Sequence, residues 1–142
     1  MALPVPRSGL VIRYGFLWSE AAQVGLVDAD KDRPSAIILT VKTAAGQDRV
    51  SLVPITHAAP RAGQAHVALS ASECRGIGLD DAPHWVAVAE INRFIWPGFD
   101  LRQVAGTGRF DYGMLPHATM RKILAAVLEL QDKRVARVTI RD

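Results

Sequence analysis

The chain has 142 residues, 49% apolar and 22% charged, with a formal charge of +3 and a pI near 9.4. That length and balance fit one folded domain over 1–142 and exclude a disordered chain, and no apolar run approaches the roughly 18 residues of a membrane-spanning helix. A single cysteine, Cys74, excludes an internal disulfide, Pro4, Pro6 and Arg7 break any signal-peptide core, and a reducing cytoplasm is the expected location.

Met1 to Ser8 reads as a loose lead-in punctuated by prolines, and Gly9 to Trp18 as a first strand of apolar and aromatic residues. Ser19 to Asp32 reads as a loop. Glu20-Ala21-Ala22-Gln23 suits one helical turn, but Val24-Gly25-Leu26 breaks it. Asp28, Asp30 and Asp32 alternate with other residues, yet no Gly follows at the turn position and no Glu closes a calcium-loop frame, so calcium binding is not predicted.

The most regular stretch comes next. Ser35–Lys42 and Arg49–Val53 are rich in β-branched residues, and Ala44-Ala45-Gly46-Gln47-Asp48 supplies turn chemistry between them, so the pair is predicted to form an antiparallel hairpin. A hairpin places the start of its first strand, Arg33, beside the end of its second, Thr56, and a guanidinium and a hydroxyl then share one edge. Pro34 suits a first strand position and holds Arg33 extended.

Ala58–Gln64 reads as a loop, His66–Leu69 as a short strand, and Ser70–Asp81 as a polar connection in which Ser70 and Glu73 cap one helical turn. Trp85–Ile95 is predicted as a single strand buried on both faces as far as Glu90, and Pro97-Gly98 ends it. Phe99–Met114, with Gly106, Gly108 and Gly113, is irregular, with Leu101–Val104 and Gly108–Phe110 as short strands of weak pattern. Pro116 opens a helix whose Met120, Ile123, Leu124, Val127 and Leu128 form one apolar stripe and which ends near Gln131. The basic tail 133–142 reads as an extra edge strand or an arm.

Arg33-Pro34, Pro54-Ile55-Thr56, Val86-Ala87-Val88-Ala89-Glu90, and Gly113 followed by the helix after Pro116 stand in the order and spacing of one known family. In these residues, between about Gly9 and Leu130, the chain resembles the MazF/PemK/Kid toxins of bacterial toxin–antitoxin pairs. The resemblance implies a mainly β fold with a C-terminal helix, an SH3-like antiparallel β-barrel of the MazF/CcdB plasmid-maintenance-toxin type. It also implies a metal-independent endoribonuclease that cuts single-stranded RNA by 2′-OH attack, with no cofactor, a cognate antitoxin protein as partner, and a homodimer. The aromatic residues from Phe94 to Phe99 point to the same dimer, because a small barrel does not readily hide them all. Gly9-Leu10 replaces the family's usual Gly-Asp, and the Glu-Gln-x-Gly stretch before Arg-Pro is absent. A non-catalytic RNA- or protein-binding relative, or a CcdB-like inhibitor of a protein target, therefore stands as the alternative.

The implied catalytic residues are Arg33, Thr56 and Glu90. Arg33 can hold two phosphate oxygens in its planar fork, Thr56 can donate to the same phosphate, and Glu90 is the candidate proton acceptor. Each has a plainer role available: a salt bridge from Arg33 to Asp32 or Asp30, a turn cap for Thr56, and an ion pair from Glu90 to Arg93 or Arg33. His57, Trp18 and Arg93 are the candidate substrate-binding residues. His57 follows Thr56 directly, His66 is a further acid–base candidate, and Trp18, Phe94 and Trp96 are aromatic groups able to stack on bases or to fill a core. His84 and His117 fall in predicted loops without metal spacing, and no zinc cluster, phosphate loop or nucleophile elbow is present, so no metal is expected.

Overall fold

Residues 3–25 and 32–141 are described by a computed structural model; Asp28 and Asp30 lie outside them. The predicted hairpin is present, as β2 (Arg33–Lys42) and β3 (Asp48–Thr56), paired from Ser35↔Pro54 to Lys42↔Asp48 around a turn in which Gly46 takes a φ of 81°. β1 (Leu10–Tyr14) pairs antiparallel with β2, and β7 (Leu101–Arg102) and β8 (Asp111–Met114) share its other edge. β4 (Val67–Leu69) lies against β5 (His84–Val86), and β5 and β6 (Glu90–Ile95) follow each other along the free edge of β3. The result is a curled, mainly antiparallel sheet, half of a barrel, with helix α3 (His117–Asp132) packed on it.

Trp85–Ile95 differs from expectation. It is not one strand but two, and Glu90 begins the second instead of ending the first. Pro54 provides the physical reason. Its carbonyl accepts from the Ala87 amide at 3.1 Å, but proline has no N–H to donate back toward that edge. The ladder cannot continue there, and 87–89 swing out before β6 resumes pairing with Leu52.

The apolar alternation serves two cores, one on each face of the sheet. Val11, Ala36, Ile38, Val53 and Ile55 face α3 and α2 (Ala71–Gly76), meeting Cys74, Ile77, Met120, Ile123 and Val127. Ile12, Tyr14, Ile37, Val50 and Leu52 point the other way and enclose Phe16 and Phe94. Much of the aromatic content that pointed to a dimer is absorbed here. Phe94 stacks on Tyr14 at 4.8 Å, Trp96 tilts onto Phe94, and of that stretch Phe99 alone is almost fully exposed.

Further departures concern the ends of the chain. Among the described residues there are nine strands, and the basic tail supplies the last, β9 (Arg137–Ile140), which runs parallel to β6 from Glu90↔Arg137 to Arg93↔Ile140. Parallel pairing follows from α3, which carries the chain across the sheet before it returns. A short helix, α1 (Ser19–Gln23), stands where a loop was expected. On α3 the stripe is narrower than predicted: Thr119, Met120, Ile123 and Val127 are buried, whereas Leu128 is 60% exposed. No helix among the described residues is long and apolar enough to cross a membrane.

Ser70 and Glu73 form the capping box that the spacing predicts, with the Glu73 amide donating to Ser70 Oγ and the Ser70 amide to Glu73 Oε1. Thr119 Oγ1 on α3 donates to the other Glu73 oxygen, so one carboxylate joins two helices. Burial is the largest single influence on Glu73 and raises its pKa, but the bonds from Ser70 and Thr119 and the charge of Lys122 together hold it below the ordinary value. A carboxyl with a depressed native pKa stabilises the fold above its unfolded pKa, and that contribution disappears as pH falls through the native value. The urea midpoint should therefore fall between about pH 5 and about pH 3, and the Glu73→Gln variant should show a shallower dependence in that window.

Candidate functional site

The site is built where the β2–β3 hairpin opens. Antiparallel register brings Arg33 and Thr56 to the same end, and both line a cleft of about 430 Å³ together with Glu90, Trp18 and His57. One wall comes from Glu20 and Ala21 on α1, and another from Ala58, Ala59, Arg61 and Gln64 in the loop after β3. A second depression of about 490 Å³ shares Arg33, Thr56 and His57 and continues past Asp80 to His84.

Each polar group is held by identifiable partners. The Arg33 guanidinium carbon lies 5.2 Å from the Trp18 ring centroid, a cation–π geometry that fixes a long side chain against a flat one. Thr56 Oγ1 accepts from the Ala58 amide at 3.1 Å, a turn-capping bond that uses a lone pair and leaves the hydroxyl proton free to be donated. Glu90 is held by Ser19 at both oxygens, Oε1 accepting from the Ser19 amide at 2.8 Å and Oε2 from the Ser19 hydroxyl at 2.6 Å. It thus closes the start of α1, where Trp18 has no capping side chain. That placement follows from the strand break at Pro54, which restarts β6 at the cleft.

Behind this lies Asn92, two residues along the same face of β6 and fully buried. Its Oδ1 accepts from the Leu17 amide at 2.9 Å and its Nδ2 donates to the Leu17 carbonyl at 2.7 Å. The Arg141 guanidinium completes the cluster, donating to Asn92 Oδ1 and to the Gly15 carbonyl and pairing with Asp100 at 3.0 Å. The segment that carries Trp18 and Ser19 to the cleft is fastened from below.

Arg93 is not brought to the cleft. It stands three residues from Glu90 on β6, an odd offset that turns it to the other face, and its Nε donates to Ser51 Oγ at 3.0 Å. Phe94 and Trp96 belong to the core, and His66 lies outside both depressions. His84 and His117 are not in loops: His84 begins β5 and is buried, and His117 begins α3. Sequence reading missed Glu20, Arg61, Gln64 and Asn92. Arg61 had one signal, a position between Pro60 and Gly63 in a turn where a side chain is displayed.

Cys74 Sγ lies 3.5 Å from His84 Nδ1, and His84 Nε2 lies 3.6 Å from Asp80 Oδ1, the order of thiol, base and orienting acid. The thiol is 1% exposed, and burial, helped by the Glu73 and Asp80 charges, pushes its pKa up. It stays protonated and out of reach of substrate, so this row does not make a cysteine nucleophile. Among the described residues no group of three or more His, Cys, Asp and Glu side chains is arranged to hold a metal ion. No family model, curated protein or solved structure matches the chain.

The Asn92 cluster generates a direct expectation. Asn92→Ala strands the buried Leu17 amide and carbonyl, at a cost of about 2–4 kcal/mol in urea unfolding. Hydrogen exchange at the Leu17 and Ser19 amides should rise in the folded variant. Unchanged exchange there would show that the segment is placed by other contacts.

Proposed function

We propose that the cleft cleaves single-stranded RNA without a metal, by attack of a ribose 2′-OH on the adjacent phosphate. The observation that carries this reading is the convergence of Arg33, Thr56 and Glu90, from the ends of three strands, on one cleft that also holds an aromatic ring and an imidazole. In the proposed step the 2′-oxygen forms a bond to phosphorus, the bond to the 5′-oxygen breaks, and a 2′,3′-cyclic phosphate is left. Arg33 and Thr56 hold the non-bridging oxygens as charge grows on them. Glu90, with lone pairs beyond those used by Ser19, accepts the 2′-OH proton, and His57 at the exposed rim gives one to the departing 5′-oxygen. Trp18 offers a face for an unstacked base. The same reading includes a protein antitoxin and a toxin homodimer.

One observation favours a second reading. Both Glu90 oxygens are already engaged in holding α1, which is all that a cleft built only for binding would ask of it. The two readings separate in a single assay, cleavage of a defined single-stranded RNA in EDTA with identification of the product ends. A ribonuclease yields 2′,3′-cyclic phosphate ends, and Arg33→Ala lowers its rate by about a hundredfold or more while the fold survives. Arg33→Lys should restore little, because lysine keeps the charge but loses the two-pronged geometry. Wild-type protein that binds RNA and leaves it intact in EDTA supports the binding-only reading instead.

A further inference from the structure

Arg61 and Glu20 face each other across the mouth of the cleft. Arg61 Nη2 lies 3.5 Å from Glu20 Oε1, and the two side chains are 77% and 79% exposed. They come from opposite walls, Arg61 from the loop after β3 and Glu20 from α1, and both line the same space as Arg33. The backbone beneath Arg61 is fixed. Its amide donates to Gln64 Oε1 at 2.9 Å and its carbonyl accepts from the Gln64 amide at 2.9 Å, closing a turn in which Gly63 has a φ of 79°. The guanidinium therefore projects from a set position while its partner is held only by an exposed ion pair, an interaction that is weak in water and weaker still in salt.

We infer that Arg61 is a second phosphate-binding group, which takes the RNA phosphate flanking the one held by Arg33, and that Glu20 occupies it until RNA arrives. This rests on the ribonuclease reading only in naming RNA as the ligand. A carboxylate and a phosphate offer a guanidinium the same paired acceptor oxygens, so one can replace the other without rearranging the loop. The exchange is favourable because a phosphate linked along a chain that also contacts Arg33 and Trp18 binds with the help of those contacts, whereas the Glu20 pair stands alone. Releasing Glu20 also removes the ion pair that spans the mouth and leaves that space to a strand.

The test uses a fluorescein-labelled 2′-O-methyl oligonucleotide of mixed sequence, which has no free 2′-OH to attack and remains intact. Arg61→Ala should weaken binding about threefold to tenfold at low salt and reduce the slope of log affinity against log salt by about 0.7, the loss of one phosphate contact to a single strand. Glu20→Gln should tighten binding about twofold to fivefold, and in the Arg61→Ala background should recover less than half of that gain. Lys42→Ala removes an equal charge at the far end of the hairpin and should leave affinity within about twofold. An unchanged slope in Arg61→Ala, or an equal gain from Glu20→Gln in both backgrounds, overturns the inference, since Glu20 then acts only by general repulsion. If the variants behave as expected but wild type cuts no RNA in EDTA, the second phosphate site stands and the catalytic reading fails. Wild type that does not bind the oligonucleotide overturns both.

Discussion

A single buried amide, Asn92, determines where the loop after β1 runs. A backbone peptide at Leu17 that turns away from its sheet must find new partners for its N–H and C=O, and a primary amide, with an acceptor oxygen and a donor nitrogen side by side, satisfies both at once. Because Asn92 is bracketed by β3 on one edge of β6 and β9 on the other, its position is over-determined, and the loop inherits that rigidity. Trp18, Ser19 and α1 follow from it in sequence, and with them one whole wall of the cleft.

Pro54 acts on the same region from the opposite side. By interrupting the ladder along β3 it divides one edge partner into β5 and β6 and sets Glu90 at the restart. A residue that cannot donate a hydrogen bond thereby positions a carboxylate that accepts two. The two-sided core explains why the sheet tolerates this break. Residues on both sides of the interruption, Val86 and Ile91, are buried in the same cluster, so burial on the helical face continues where backbone pairing lapses.

The hairpin was legible because its strands alternate clearly and its turn residues interrupt them, and the adjacency of Arg33 and Thr56 follows from antiparallel geometry alone. The capping box at Ser70 and Glu73 was legible for a similar local reason. The break inside 85–95 was not, because Val86, Ala87, Val88 and Ala89 are apolar and mostly buried whether or not they pair. The mismatch lay in another strand, at Pro54. Glu20, Arg61 and Asn92 could not be found from pattern, since their partners are 41, 41 and 75 residues away or lie in loops placed by tertiary contacts. Arg93 was assigned by proximity in sequence to Glu90, where strand parity is the stronger guide. Leu128 fits the helical period but lies beyond the width of the sheet that α3 covers.

The Arg141 guanidinium, 4% exposed among Asp100, the Gly15 carbonyl and Asn92, ties the last described residue to the first strand. Its consequence is one of timing during synthesis. The longest of the contacts that fasten the loop bearing Trp18 spans 126 residues of chain, against 75 for the Asn92 bonds, so it cannot close until Arg141 has left the ribosome. Local pieces such as the β2–β3 hairpin can form early and the Asn92 bonds can follow, whereas this wall of the cleft gains its last fastening only with Arg141.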